Sequence, residues 1–226
     1  YVAPACKNFA TFVSCDGFGE QAEYMRNGMN FKMLQNNVNR ILEETDNSTI
    51  TFINTFNLLS LTSLQEYLQW ILELRDKYAK DRQGIKYIPI PDNGGHKHPD
   101  YEVRPKQRIW FDIPLLRAPL WQCIQIMPDY YQSYLEEAIA FMELNKADEV
   151  NIDYRGFKDF EIDKVRRNLE WMKAGSIMDK EELLKARANF FKFFSQHDER
   201  RKTNFLQVFP EMEDWWNICK EAEALI

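Results

Sequence analysis

Four residues near the amino end have the types and order needed to hold a charged ligand. Ser14, Asp16 and Gly17 close the β-rich run Ala10-Thr-Phe-Val13, and Arg26 follows downstream. In open and barrel α/β folds, ligands bind beyond the carboxyl ends of the strands, where such a turn would lie. Ser14 offers a hydroxyl there, Asp16 a carboxylate and Gly17 a tight turn. Arg26 offers a planar fork that grips a carboxylate through two hydrogen bonds. The set suits a zwitterionic nucleoside. Read alone, Asp16-Gly17 is equally the composition of a loop turn and Arg26 that of a surface cation, so the surrounding elements have to decide.

Those elements alternate. Phe31, Leu34, Val38, Ile41 and Leu42 fall at helical spacing with Asn30 placed as the cap. Thr49–Phe56, rich in β-branched and aromatic residues, reads as a strand with Asn54 and Asn57 toward its carboxyl end. Ser63 with Glu66 forms a capping box for a helix marked by Leu64, Leu68, Ile71, Leu72 and Tyr78. Ile109–Pro114 is a third strand, apolar at both parities, which predicts burial on both faces. Trp121–Met127 reads as a short extra strand, and Pro128 opens a helix carrying Tyr131, Leu135, Ala138, Ile139 and Met142.

The remainder is helical. Ile162, Val165, Leu169 and Met172 form one stripe, and Asp179 with Glu182 caps a helix turning Leu183, Phe190, Phe191 and Phe194 inward. A last helix after Pro210 buries Met212, Trp215, Trp216 and Cys219. These helices, from Asp159 to Ala224, are expected to cover the bottom or side of the α/β part and to serve packing. Residues 145–158 lack periodic hydrophobics and suit a boundary.

Other chemistry is weaker. His96 and His98, with Asp92 and Asp100, offer imidazoles and carboxylates to a divalent metal, but the Gly- and Pro-rich stretch from Gly84 to Gln107 fixes no geometry and reads as a solvated loop. His197 sits in a helical Ser-Gln-His-Asp run with no nucleophile paired to it by spacing and no nucleophile elbow, which disfavours a Ser-His-Asp hydrolase reading.

A net charge of −6 and a pI near 5.3 disfavour nucleic acid, whose phosphates call for clustered Lys and Arg. No apolar run approaches the roughly 18 residues of a membrane span. The four cysteines, Cys6, Cys15, Cys123 and Cys219, form no Cys-x-x-Cys pair, and isolated thiols suit a reducing cytoplasm.

Taken together in order and spacing, several segments resemble radical S-adenosylmethionine (radical SAM) enzymes. They are the Ser-x-Asp-Gly turn with Arg26, Gly28-Met-Asn-Phe31 leading into a helix, and Arg108-Ile-Trp-Phe-Asp-Ile-Pro-Leu-Leu-Arg117. The tail, Asn189-Phe-Phe-Lys-Phe-Phe-Ser-Gln-His-Asp-Glu-Arg-Arg201 with Phe209–Glu213, is similar to the end of the members grouped under the name twitch domain.

The resemblance implies an α/β fold: the C-terminal half of a partial (β/α)6 TIM-like barrel in residues 1–127, and a helical, twitch-like C-terminal extension in residues 128–226. It also implies two cofactors, S-adenosylmethionine (SAM) and a [4Fe–4S] cluster, fed by a reductant. Their product, a 5′-deoxyadenosyl radical, abstracts hydrogen from a peptide or small-molecule substrate. Ser14, Asp16 and Arg26 would contact SAM, Arg26 at the methionine carboxylate and Ser14 at the same moiety or the ribose. Asn54 would reach the ribose, and the backbone at Leu115 would flank the adenine.

The family's Cys-x-x-x-Cys-x-x-Cys does not occur in these 226 residues. With Tyr1 opening the chain and Met25 its first methionine, the expectation is a C-terminal portion whose cluster ligands lie upstream. No catalytic or metal-binding residue is therefore assigned within it, and the isolated Cys123 and Cys219 predict no auxiliary cluster. The competing expectation is a non-catalytic binding or scaffold protein derived from the barrel.

Overall fold

The computed structural model describes residues 9–45, 48–79, 108–147 and 155–226. The histidine-bearing stretch between Gly84 and Gln107 and Cys6 lie outside them.

Three parallel strands, β1 (Phe9–Ser14), β2 (Ser48–Ile53) and β3 (Ile109–Asp112), form one sheet in the order β1-β2-β3. Parallel neighbours require crossovers. Helices α1 (Gly19–Met25) and α2 (Phe31–Glu44) make the first, and α3 (Leu64–Ala79) lies in the second. The β/α alternation in the sequence is thus the alternation of the fold.

Cross-strand register aligns Val13, Phe52 and Phe111 in one row, and Thr11, Ile50 and Ile109 in another. Ile50, Phe52, Ile109 and Phe111 are buried toward the helices, whereas Phe12, on the opposite face of the edge strand, is 68% exposed. The expectation that β3 is buried on both faces is corrected: Ile109 and Phe111 are buried, Trp110 and Asp112 only partly. Helices pack on one side, and Trp110 is covered instead by the Lys158 ammonium, 4.3 Å from its ring centre.

Helices α4 (Gln132–Leu144) and α5 (Asp159–Lys173) pack together, with α4 also against α3. Helix α6 (Lys180–Arg201) pairs with α8 (Glu213–Ala224), and α7 (Phe205–Val208) is a single turn between them. Caps follow the sequence where they are local. Asn30 Oδ1 accepts from Met33 N at 2.7 Å, and Asp179 Oδ2 accepts from Glu181 N and Glu182 N at 2.9 and 3.1 Å. Ser63 departs from its expected role, since its hydroxyl accepts the Phe18 N–H at 3.1 Å and ties α3 to the turn after β1.

Two further expectations change. Trp121–Met127 is not a strand but contains two 3-10 turns, Leu120–Gln122 and Ile124–Ile126, because its N–H groups close local bonds such as Cys123 N to Leu120 O at 2.9 Å. A third 3-10 turn, Asp129–Tyr131, intervenes between Pro128 and α4. Phe190 and Trp215 fill the core between α6 and α8, while Phe191 and Trp216 are half-buried against each other at 4.8 Å.

Two buried arginines hold the amino ends of the strands. Arg108 donates to Ser48 O at 2.9 Å, Leu42 O at 2.8 Å, Ser48 Oγ at 2.7 Å and Thr45 O. Arg75 forks onto Glu161 at 2.7 and 3.1 Å and also donates to Ile109 O and Gly156 O at 3.1 and 3.2 Å. Its guanidinium lies 5.7 and 5.6 Å from the ring centres of Phe111 and Phe157. No helix among the described residues is long and apolar enough to cross a membrane.

Candidate functional site

Beyond the carboxyl ends of the strands the chain turns sharply at Asp16-Gly17. A Cβ on Gly17 would meet the Met25 methyl at 2.7 Å and Ser63 Oγ at 3.0 Å, so the turn packs closely against these two side chains, which would have to shift for anything larger than glycine. Beyond the turn α1 follows, and Arg26 at its end pairs with Asp16. Arg26 Nε and Nη2 each lie 2.8 Å from Asp16 Oδ2, and Asp16 Oδ1 accepts the Thr55 N–H at 2.8 Å. One carboxylate therefore joins the ends of β1 and β2 and orients the guanidinium, whose Nη1 edge it leaves free.

Asp16 borders a cleft of about 290 Å³, whose lining does not itself include Arg26. Asp16, Thr55, Asn57, Leu116 and Gln122 line it from the sheet side, with Met25 and Leu59, while Phe193, Phe194, His197 and Arg201 close it from α6. The tail helices were expected to cover the bottom or side as packing; α6 instead lies across the carboxyl ends of the strands. Tyr24 fastens it there, donating from its hydroxyl to Asp198 Oδ1 at 2.9 Å. Asp198 also accepts from Thr203 Oγ1 and from Phe205 N, both at 2.7 Å.

The other sequence-selected residues are placed differently. Ser14 is exposed at the end of β1, on the same face as Phe12. Leu115 extends the sheet through an isolated bridge to Phe56, in which Pro114 O and Leu116 N make the hydrogen bonds, so Leu115's own amide groups stay out of that ladder. Asn54 continues the buried parity of Ile50 and Phe52. It is fully buried, its backbone N–H bonds Asp112 O at 2.9 Å, and both its side-chain amide atoms lack a partner.

Electrostatics separate the cysteines from the site. Burial pushes the Cys15 thiol up to about 12, and the thiol donates to Gly17 O at 3.2 Å. Burial also raises Cys219 and Cys123. The His197 imidazole is lowered, first by burial and then by the Arg201 charge, with Asp198 opposing at 3.7 Å. Among the described residues no group of three or more His, Cys, Asp or Glu is placed to hold a metal ion.

Sequence reasoning did not assign Phe193, His197 or Arg201 to the site, although it weighed His197 as a hydrolase residue and all three lie in the tail that carries the resemblance. Their spacing of four marks one helical face, a signal present in the sequence. What that face meets is not.

No family, no curated protein and no solved structure matches the chain.

Proposed function

We propose that this chain is the C-terminal portion of a radical SAM enzyme, and that the cleft beside Asp16 receives SAM. The observation that carries this reading is the Asp16–Arg26 pair anchored on Thr55 at the carboxyl ends of parallel strands. Arg26, held through one edge, keeps its Nη1 edge for the methionine carboxylate. The cleft's Gln122 amide and its aromatic wall suit the polar and planar parts of a nucleoside, while Asn57 is engaged with Leu59 N and Thr55 O. Ser14 and the backbone at Leu115 border the same end of the sheet, and the unpaired amide of Asn54 lies just beneath it. The outer edge of β1, unpaired among the described residues, supports a partial (β/α)6 barrel whose remaining strands would pair there, with Phe12 and Ser14 facing the barrel interior. A cytoplasmic setting goes with this reading.

SAM, when bound and reductively cleaved, supplies the radical that takes hydrogen from a peptide or small-molecule substrate. In that scheme this chain's residues bind, orient and shield. The [4Fe–4S] cluster does not fit the residues present: Cys15, Cys123 and Cys219 lie on separate segments, and burial holds their thiols protonated where a cluster takes thiolates. The second reading is a barrel-derived binding or scaffold protein without a cluster, which these three cysteines fit equally.

The test is to read the coding sequence upstream of Tyr1 for Cys-x-x-x-Cys-x-x-Cys and to reconstitute the encoded protein anaerobically with iron, sulfide, dithionite and SAM. Release of 5′-deoxyadenosine is the expected result. Absence of the motif together with no release decides for the binding protein.

A further inference from the structure

We propose that the α6 face carrying Phe193, His197 and Arg201 recognises the substrate by an anionic group, a carboxylate or a phosphate. The proposal rests on reading the adjoining cleft as the SAM site.

The three residues are four apart and so share one side of the helix. They line the cleft, and they also line an adjoining cavity of about 180 Å³ completed by Gln196 and Arg200. A molecule in the smaller cavity is therefore next to whatever occupies the larger one.

Charge decides what the smaller cavity favours. The nearby carboxylates are already engaged: Asp16 by Arg26 and Thr55, and Asp198 by Tyr24, Thr203 and Phe205. Arg200 and Arg201 form no ion pair among the described residues, and Arg201's contact with Tyr24 O is long, at 3.5 Å. The cavity thus offers two guanidinium groups that form no ion pair among the described residues, with the Asp198 carboxylate turned to Tyr24, Thr203 and Phe205 instead, and their planar forks match carboxylate and phosphate. Cations at the end of α6 also answer its dipole. That need, however, would be met anywhere around the last turn and does not call for an aromatic wall. Phe193 is 44% exposed at this opening and is supported from behind by Trp121, with ring centres 4.3 Å apart. It gives a planar moiety a surface beside the cations.

The experiment follows the His197 imidazole signal by NMR. The chain has three histidines, and the signal is assigned by its loss in His197→Gln. Inorganic phosphate and succinate are titrated separately against sodium chloride at matched ionic strength. The expected result is a saturable shift with one of them, weakened ~10-fold in Arg200→Ala and in Arg201→Ala and partly restored in Arg201→Lys. A response to phosphate alone assigns a phosphate-bearing substrate, and a response to succinate alone a carboxylate. If neither probe moves the signal, or if both alanine variants bind as tightly as the unaltered chain, the proposal is overturned. A parallel SAM titration separates the two readings: SAM bound without anion binding overturns this inference alone, and anion binding without SAM overturns the cofactor reading alone.

Discussion

Arginine is used at both ends of the sheet, but in opposite ways. At the amino ends, Arg75 and Arg108 are 2% and 5% exposed and their N–H groups are spent on Glu161 and on backbone carbonyls. At the carboxyl ends, Arg26 is held by one carboxylate along one edge, and Arg200 and Arg201 have no carboxylate among the described residues. A guanidinium taken out of water must be fully matched or the fold loses stability. One left partly in water carries no such demand and remains available to a ligand. The amino end is therefore where this protein is stabilised, and the carboxyl end is where incomplete pairing leaves room for chemistry. The polar atoms agree: Asn54, fully buried with an unpaired side-chain amide, stands at the carboxyl end of β2, whereas Ser48 at its amino end is fully engaged with Arg108 and Thr45.

The sharpest way to break this contrast is at Arg75. Arg75→Ala leaves Glu161 buried without its cation and should cost about 3–5 kcal/mol in urea unfolding, while Arg75→Met combined with Glu161→Leu should recover most of it. A loss under ~1 kcal/mol would show that the amino end is not a stabilising lock.

Arg26→Ala is expected to act on binding. If the cleft holds SAM, the variant should bind it ~10- to 150-fold more weakly by calorimetric titration, with Arg26→Lys intermediate because the charge stays but the planar fork is lost. Unchanged affinity in Arg26→Ala would make the Asp16 turn structural.

Asn54→Leu should change stability by less than about 1 kcal/mol or raise it, since an unpaired buried amide is replaced by apolar volume. A clear loss of stability with unaltered SAM affinity would place Asn54 with the locks of the amino end.

The smallest effect belongs to Cys15. Its thiol is raised from 9.0 to about 12 in the folded chain, so the folded state holds the proton more tightly than the unfolded one. The contribution to stability is complete below pH 9 and is lost as pH rises through about 12. At pH 8 Cys15 should resist iodoacetamide in the native protein and react after unfolding; rapid native modification would show that the thiol is reachable from the cleft.

Much of the fold was legible because it depends on neighbours in sequence. The β/α alternation, the Asn30 and Asp179 caps, and the turn at Asp16-Gly17 follow from periodicity and local hydrogen bonding, whereas the pairing of Arg26 with Asp16 was not read from the sequence. Trp121–Met127 was misread because a short apolar run satisfies either a strand or tight turns, and only the absence of a paired neighbour settles which. The side to which Asn54 points follows from Thr49 and Thr51 alternating with Ile50 and Phe52, but that its amide would be buried without a partner could not be read, since that depends on which groups the helices bring against it. Arg75 and Glu161 are separated by 86 positions, and their union depends on how α3 and α5 dock. So does the site itself: Phe193, His197 and Arg201 share a helical face by sequence alone, but tertiary packing, fastened by Tyr24 on Asp198, lays that face across the strand ends. Local bonds specify elements, whereas the burial shared among distant elements decides which polar groups are matched and which are left for a ligand.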